Sequence, residues 1–310
     1  MPTIRVATFN VENLFARFKF NRDIDPARAV RDGWDVNKTY FTIFEEEAKK
    51  ITASAIRATK ADIIALQEVE NLDTLKRFRR EYLGGPAAYP YAVAIDGNDL
   101  RLIDIAVLSR HPIVHVRSNQ HLRTGRSYLF SRDCLELTVE VDGRPLHLFV
   151  NHLKSMLDRR DPANGRRNTR ERRRSQAKAV RSIVTARLGS HPERKPFIIL
   201  GDLNDYLETD EFGETAIADL VRWDAVENVV DRLAQEQRWS HYFAGRRVYH
   251  QLDYILPSRA LAQRITSDPE FVRRGLPKKA KRFAGPWFKG VGNTTPKASD
   301  HCPLVVEFEL

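Results

Sequence analysis

Acid, amide and imidazole side chains recur in this sequence at the ends of apolar segments. They are Asn10, Glu68, His152, Asp202, Asn204, Asp253, Asp300 and His301. One such residue carries little information, but the pattern repeats at six segments spread over the chain. Ligands bind in layered sheets where loops converge at strand ends. We therefore expect these residues to meet in one site.

The side chains in this set favour metal-assisted hydrolysis of a phosphoester. Carboxylate and amide oxygens are the ligands that a hard cation such as Mg²⁺ prefers. The sequence has no HExxH or CxxC pattern, no GxSxG segment and no P-loop. Zinc-protease, serine-hydrolase and P-loop nucleotide chemistry are therefore disfavoured. The expected cofactor is Mg²⁺, or Mn²⁺ in its place.

Most of these residues also have a purely structural interpretation. Asn10 and the "GDLND" segment could form turns at strand exits, because Asn, Asp and Gly are turn residues. Glu68 could cap the helix expected from residue 72, and His152 could be a structural histidine. Asp253 is harder to explain in this way, since a buried carboxylate is costly unless it is paired. We expect a cation or a histidine beside it, and His301 is the obvious candidate.

The positive charge of the chain is concentrated in two segments. The formal net charge is +10; residues 159–174 carry +6 and residues 272–289 carry +7, which leaves −3 for the rest. Such patches indicate a polyanionic partner, with nucleic acid first, although solvated loops are an alternative. Trp287 lies among the cations of the second segment, where it could stack on a base. The candidate substrate contacts are Asn151, Arg132, Arg166, Arg167, Lys281, Arg282 and Trp287.

The periodicity of apolar residues predicts strands and helices that mix along the whole length. We expect helices over 41–59, 72–83 and 174–188, and a hairpin that turns at Asp142-Gly143 and ends at His152. The other expected strands are "TIRVATFN", "ADIIALQEVE", "PYAVAI", "LIDIAVLS", "PIVHV", "KPFIILGD", "YHQLDYILPS" and "PLVVEFEL". Without a repeat or a low-complexity linker, this mixture predicts a single α/β (α+β) sandwich domain over residues 1–310.

Composition excludes several other classes of protein. No apolar run approaches the ~20 residues that a membrane-spanning helix needs. The N-terminus has the pattern of a strand and not of a signal peptide. Two cysteines, Cys134 and Cys302, cannot make a disulfide framework. The expected location is the cytoplasm, without stable membrane association.

Seven segments, in this order, resemble the endonuclease/exonuclease/phosphatase superfamily, and bacterial nuclease-like members most of all. The segments are "TFNVENL", "IIALQEVEN", "IAVLSRHPI", "VNHLKS", "ILGDLND", "LDYIL" and "SDH", and they run from residue 8 to residue 301. The resemblance implies a four-layer α/β sandwich, with two mixed sheets packed face to face and helices outside. It also implies a role for each residue of the predicted site.

On this resemblance, Glu68 would be the principal Mg²⁺ ligand, with Asn10 beside it. Asp300 would lie near the metal, where it could hold a second ion. Asp202 would orient and deprotonate the attacking water, and Asn204 would help to place that water and the phosphate.

The remaining predicted residues would act on the phosphate group. His301, fixed by Asp253, would hydrogen-bond the phosphoryl oxygens. His152 would contact the phosphate or assist the leaving oxygen. A carboxylate behind a histidine favours the imidazolium, which is a better donor to phosphate than neutral imidazole.

The preferred function is a Mg²⁺-dependent nuclease that hydrolyses DNA or RNA, because this function uses the predicted site and explains the basic segments. A phosphatase or phosphodiesterase acting on a small molecule or a lipid headgroup is the alternative. A non-catalytic nucleic-acid-binding protein is disfavoured, since it has no need for the complete set of acids, amides and histidines.

Overall fold

A computed structural model describes residues 2–20, 27, 36–41 and 46–310. Its strands are β1 (Thr3–Leu14), β2 (Ala16–Phe20), β3 (Val36–Phe41), β4 (Ile63–Val69), β5 (Tyr91–Ile95), β6 (Asp104–Ser109), β7 (Ile113–Arg117), β8 (Arg123–Thr124), β9 (Ser127–Tyr128), β10 (Cys134–Val141), β11 (Arg144–His152), β12 (Phe197–Asp202), β13 (His241–Phe243), β14 (Val248–His250), β15 (Asp253–Pro257), β16 (Glu270–Phe271) and β17 (Leu304–Glu309). Its helices are α1 (Glu46–Thr59), α2 (Leu72–Tyr82), α3 (Gly165–Asn168), α4 (Arg170–Leu188), α5 (Ala218–Val221) and α6 (Arg259–Ala262).

Two mixed β-sheets form the centre of the molecule. The first has the strand order β16-β17-β1-β4-β6-β5, and the second has the order β15-β12-β11-β10-β7. Each sheet contains one parallel pair, β1 with β4 in the first and β11 with β12 in the second. Parallel strands end at the same edge of a sheet. Asn10 is therefore opposite Gln67, next to Glu68, and His152 is opposite Asp202.

The two sheets pack face to face through alternate residues of their central strands. Ile4 and Ile63 from the first sheet share one apolar cluster with Leu148, Ile198 and other residues of the second sheet. Alternation along a strand sends the neighbouring residues to the opposite face. The sheets consequently need apolar cover on their outer faces as well.

Helices cover the outer face of each sheet. Ile56 of α1 and Phe78 of α2 lie in the cluster that covers the first sheet. Val180 of α4 lies with Phe149 and Phe197 over the second sheet. The layers are helix, sheet, sheet and helix, so the predicted four-layer α/β sandwich is confirmed. In the part of the chain that the structure describes, no helix is both long enough and apolar enough to cross a membrane.

Two expected boundaries were wrong at places that matter for the site. Strand β1 does not stop at Asn10 but continues to Leu14 after an irregularity in its pairing with β4. Glu12 and Asn13 in this stretch have φ values of 49° and 64°. The segment "YHQLDYILPS" is not one strand, because β14 pairs with β13 in a small separate sheet and β15 joins the second large sheet.

The expected helices are present with shifted ends. The helix expected over 41–59 is described only from Glu46, residue 41 belongs to β3, and residues 42–45 lie outside the described residues. The helix expected from 174 begins earlier, at Arg170. The predicted hairpin is confirmed, with Asp142 and Gly143 at φ values of 48° and 77°, as its tight turn requires.

Candidate active site

Asp202 lies at the centre of a polar cluster at the edge where both parallel pairs of strands end. It is almost completely buried, at 1% exposure. Its Oδ2 atom lies 3.0 Å from Asn10 Nδ2, 3.0 Å from Asn204 Nδ2, 3.5 Å from His152 Nε2 and 4.0 Å from His301 Nε2. The predicted residues of separate segments of the sequence therefore meet here.

Glu68 completes this cluster from the first sheet. Its Oε1 atom lies 3.4 Å from Asn10 Nδ2 and 4.0 Å from His152 Nε2. Its Oε2 atom accepts a hydrogen bond from the backbone N–H of Asn13 at 3.1 Å. The alternative that Glu68 caps α2 was wrong, because the side chain of Asn71 is the cap. Nothing in the helix therefore explains why a carboxylate stands at this position.

His301 and Asp253 form the pair that the sequence predicted. Nδ1 of His301 lies 2.7 Å from Oδ2 of Asp253, which is fully buried. Burial opposes the charged form of His301, but the carboxylates of Asp253, Asp202 and Asp300 outweigh it and raise its pKa to about 10. An imidazolium at this position keeps its Nε2–H free to donate to an anion.

For the two central carboxylates, Asp202 and Glu68, burial favours the neutral, protonated form. Burial, opposed by the charge of His301, raises the pKa of Asp202 to about 7. Burial and the charge of Asp300 also raise the pKa of Glu68. Both carboxylates face the same Asn10 amide group. Asn10 presents Nδ2 to them, while its Oδ1 accepts a hydrogen bond from the Glu12 N–H at 3.0 Å. Two largely buried carboxylates that share one amide partner provide the anionic oxygens that suit Mg²⁺ or Mn²⁺, so they fit a divalent cation.

The backbone at this edge is held in conformations that side chains other than glycine seldom adopt. Glu68 and Asn204 have φ values of 67° and 54°. Such left-handed residues cluster at functional sites, where the surrounding structure must hold them. Asn204 is held by its own N–H, which donates to Asp202 Oδ1 at 2.8 Å. The turn interpretation of "GDLND" and its site interpretation are thus both compatible with the structure.

Asp300 contacts a histidine that sequence reasoning did not single out. Nε2 of His241 lies 3.6 Å from Asp300 Oδ2, and the rings of His241 and His301 are 4.6 Å apart. Among the described residues, these three side chains form a group whose ligand atoms all lie within 4.8 Å. Since an imidazolium has no free lone pair, His301 does not suit a metal ligand, and only His241 and Asp300 of this group offer donor atoms. Only the three-residue strand β13 places His241 here, and the sequence pattern of such a short strand is weak.

Glu12 is a second residue that sequence reasoning missed. Its Oε2 atom accepts a hydrogen bond from the backbone N–H of Asp300 at 2.9 Å, and it lies 2.6 Å from Lys297 Nζ. The hydroxyl of Ser299 donates to the carbonyl of Asn10 at 2.8 Å. These contacts fasten the segment before β17 to the end of β1. Glu12 lies in the segment "NVENL", but its position near the site could be predicted only if β1 was expected to continue beyond Asn10.

The predicted substrate contacts fall into a buried group and an exposed group. Arg132 is 1% exposed; it contacts Asp99 at 3.2 Å and donates to the carbonyl of Leu153. Asn151 is fully buried, and its amide donates to the carbonyl of Phe149. Both side chains lie inside the protein near the site. They can therefore support the residues of the site, but they are not accessible to a substrate.

Part of the positive charge of the first basic segment, residues 159–174, is neutralised by ion pairs inside the protein. Arg166 Nε lies 2.8 Å from Asp205 Oδ1, and Arg173 Nε lies 3.3 Å from Asp205 Oδ2, with all three side chains buried. Arg167 is exposed, and it donates to the carbonyl of Glu211. The formal charge of residues 159–174 therefore overstates what this surface offers to a polyanion. The predicted substrate contact of Arg166 stays a prediction, and the burial of Arg166 against Asp205 does not favour it.

The second basic segment is more open. Lys281 and Arg282 are exposed. Trp287 is half-buried against the apolar cluster over the first sheet, and its ring lies 5.6 Å from that of Phe283 in an edge-on arrangement. Its indole Nε1 is buried, without a hydrogen-bond partner among the described residues. The packing of Trp287 leaves little of its face for the predicted stacking.

The profile of the Endonuclease/Exonuclease/phosphatase family matches residues 5–301, and the chain belongs to this family. Members of the superfamily are hydrolases that act on phosphoester bonds, and they include metal-dependent nucleases and phosphodiesterases. They typically use divalent metals. The resemblance seen in the sequence is therefore confirmed. A search of curated proteins found no match for this chain.

Solved structures with the same fold cover almost the whole chain. The human Nocturnin catalytic domain with bound sulfate has 17% identity and a TM-score of 0.62, over 99% of this chain and 94% of that one. Truncated TDP2 of Caenorhabditis elegans has 15% identity and a TM-score of 0.58, over 99% and 98%. An endonuclease/exonuclease/phosphatase from Beutenbergia cavernae has 18% identity and a TM-score of 0.62, over 99% and 72%. At these identities the similarity is one of fold.

Proposed function

We propose that this protein is a divalent-metal-dependent phosphodiesterase, and specifically a nuclease that hydrolyses phosphodiester bonds of DNA or RNA. The observation that carries the proposal is the contact of the buried His301–Asp253 pair with Asp202, beside Glu68 and Asn10. A cationic donor and a set of anionic oxygens then face the same small space. That combination suits a reacting phosphate, which is an anion that gains further charge in the transition state.

Glu68 and Asn10 would hold the cation, with Asp300 near it. A divalent cation at this position would neutralise the phosphate and lower the cost of the charge that develops on attack by water. With its pKa raised to about 7 by burial, Asp202 suits the role of a general base near neutral pH. Asn204, 3.0 Å from Asp202, would help to orient the attacking water.

His301 would donate a hydrogen bond from Nε2 to a non-bridging phosphoryl oxygen. Asp253 occupies Nδ1 and so fixes both the tautomer and the direction of the ring. His152 differs, because burial and the charges of Arg132 and His301 lower its pKa well below the usual value. A neutral His152 would contact the phosphate or the leaving oxygen without adding charge.

Nucleic acid is the substrate that the exposed cations favour. Lys278, Lys279, Lys281, Arg282 and Lys289 are all exposed in the segment that leads to Asp300 and His301. A polynucleotide is long enough to contact the site and this surface together, and a small phosphoester is not. This charge distribution is the reason for preferring a nuclease to a phosphatase of small molecules.

The test is to incubate the protein with plasmid DNA, single-stranded DNA and RNA in Mg²⁺, Mn²⁺ or EDTA. Cleavage that needs the metal is expected. Asp202→Asn and His301→Ala should each lower the rate by about 10²–10³-fold, as for removal of one group that acts on the transition state. Binding of the nucleic acid, measured by fluorescence anisotropy, should persist in both variants.

Asp219→Asn is a matched control for Asp202→Asn, because Asp219 is exposed and its ion pair with Lys178 spans 3.9 Å. This variant should cleave at the wild-type rate. Absence of cleavage in every metal, together with turnover of an inositol phosphate, would establish the small-molecule phosphatase instead. Near-normal turnover by Asp202→Asn would contradict the assigned role of that carboxylate.

A further inference from the structure

A short loop beside the site, residues 96–103 between β5 and β6, is held rigidly although its tip is exposed. The N–H of Gly97 donates to Asp104 Oδ1 at 2.9 Å, and Asn98 Nδ2 donates to the carbonyls of Gln120 and Phe130 at 2.8 and 3.1 Å. A Cβ on Gly97 would lie 3.1 Å from Arg132 Cα. The loop is therefore packed closely against the segment that carries Arg132.

The loop presents Arg101 with a fixed orientation. Its Nε and a terminal nitrogen lie 3.0 and 2.8 Å from the two oxygens of Asp99, and its backbone N–H donates to the same carboxylate at 3.0 Å. This forked pairing fixes the guanidinium plane and leaves other N–H groups for a ligand. The Arg101 side chain is 47% exposed, whereas Asp99 is 9% exposed.

A chain of contacts joins this arginine to the centre of the site. Buried Arg132 lies 3.2 Å from Asp99 on one side and donates to the carbonyl of Leu153 on the other. The same carbonyl accepts a hydrogen bond at 3.2 Å from Asn204, which contacts Asp202. The charge of Arg101 also reaches the site, since it adds to burial, Arg132 and His301 in lowering the pKa of His152.

Lys154 supplies a second cation at the other end of this chain of contacts, since it directly follows Leu153, whose carbonyl accepts from Arg132. It follows His152 by two residues, and its ammonium donates to the carbonyls of Ser155 and Leu157 at 2.9 and 3.0 Å. Burial and the charges of four arginines, Arg101 among them, lower its pKa to about 8. No carboxylate lies within ion-pair distance of it in the part of the chain that the structure describes. Asp158 interacts with the lysine only electrostatically, so the positive charges around Lys154 outnumber the negative ones.

We propose that Arg101 and Lys154 form a phosphate subsite that binds a phosphate of the substrate other than the one being hydrolysed. The proposal rests on the proposed function, because it takes the site around Asp202 as the reacting centre. A group with two or three anionic oxygens matches a fixed guanidinium and a neighbouring ammonium. Arg132 and Asp99 are then positioning residues, which explains why a predicted substrate contact such as Arg132 lies inside the protein.

The experiment compares two dinucleotides that share the same scissile bond. TpT has only that phosphate, and pTpT adds a phosphate on the 5′ side. The wild-type protein should prefer pTpT by about tenfold in kcat/KM, mainly through KM, as the loss of one charge-assisted hydrogen bond implies. In Arg101→Gln and in Lys154→Gln, the ratio of kcat/KM for pTpT to kcat/KM for TpT should fall close to one. Inositol 1,4-bisphosphate against inositol 1-phosphate tests whether a small molecule supplies the second phosphate.

Arg110→Gln is a matched control for Arg101→Gln. The Arg110 side chain is also 47% exposed, and it pairs with Asp62 at 3.0 Å. Its preference for pTpT should equal that of the wild type. Lys178→Gln serves the same purpose for Lys154→Gln, since Lys178 is exposed and pairs with Asp219.

Calorimetric binding of pTpT in Ca²⁺ separates this proposal from the proposed function. If the wild-type protein hydrolyses neither dinucleotide but binds pTpT about tenfold better than Arg101→Gln does, the subsite stands and the activity does not. If the wild-type protein treats TpT and pTpT alike, and the two inositol phosphates alike, the subsite is refuted. The subsite is also refuted if Arg101→Gln weakens TpT and pTpT equally.

Discussion

His301 and His152 illustrate how single residues acquire opposite properties around one carboxylate. Both lie within 4.0 Å of Asp202, yet the pKa of His301 is raised to about 10 and the pKa of His152 is lowered well below its usual value. The difference comes from Asp253, whose carboxylate contacts the His301 ring. The carboxylate behind its ring thus keeps His301 positively charged, whereas His152, without such a partner, stays neutral.

His241 offers a prediction at this scale. It contacts Asp300 and packs on the ring of His301, which itself faces Asp202, so we expect His241 to be a positioning residue. His241→Ala should lower kcat/KM by about 10–100-fold, as for other groups that orient ligands from behind. The Mg²⁺ or Mn²⁺ concentration that gives half-maximal activity should rise, because Asp300 is then held less firmly.

His241→Asn, which retains an N–H donor, should recover part of that activity. His191→Ala is the control, since His191 is exposed and pairs with Glu193 in a surface turn. A metal requirement that does not move in His241→Ala would leave this histidine with a structural role only.

At the scale of elements, the close approach of β11 and β12 sets the spacing of the site. Gly201 has a φ of 131°, and a Cβ at this position would lie 1.9 Å from the carbonyl oxygen of Asn151. Gly201 is paired with Asn151, and the next pair in register is His152 with Asp202. Glycine is required here because any side chain would push these two strands apart.

Gly201→Ala should therefore lower the free energy of unfolding by at least about 3 kcal/mol, through backbone strain and the clash together. Thermal unfolding followed by circular dichroism measures this change. Gly125→Ala is the control, because Gly125 has a φ of 59° but open space around the position of a Cβ. Its cost should stay near the roughly 1–2 kcal/mol of a left-handed alanine. Equal destabilisation in the two variants would show that the close approach is unimportant.

The strands explain how much of the site the sequence could predict. Glu68, Asp202 and His301 were found because apolar segments reveal where strands end, and polar residues at those ends are conspicuous. The pairing of His301 with Asp253 followed from the cost of burying a carboxylate alone. Glu12 was missed because it depends on an irregular continuation of β1. His241 was missed because a three-residue strand has no readable period.

At the scale of the whole molecule, the charge of the chain is not where its sequence suggests. Residues 159–174 have a formal charge of +6, but two of their arginines, Arg166 and Arg173, are buried against Asp205. Sequence counts charges and cannot show which of them find partners across long separations. The exposed lysines of residues 278–289 therefore offer more accessible positive charge to a polyanion than residues 159–174 do.

Exchanging Lys279 and Lys281 for glutamine should consequently weaken nucleic-acid binding. The slope of log K against log salt should fall in magnitude by about 0.9 for each duplex phosphate that the protein no longer neutralises, or about 1.8 for the double variant. Fluorescence anisotropy at several salt concentrations gives this slope. The control exchanges Lys60 and Lys76, which are exposed next to α1 and on α2, in the layer over the first sheet. A slope that is the same in both double variants would exclude the predicted binding surface.

Strand β17 lies between β16 and β1 and begins three residues after His301. During synthesis, β1 and β4 leave the ribosome long before this strand does, so Asn10 and Glu68 can come together while His301 is still in the exit tunnel. The centre is therefore incomplete until the segment that carries His301 and the following strand β17 has left the ribosome.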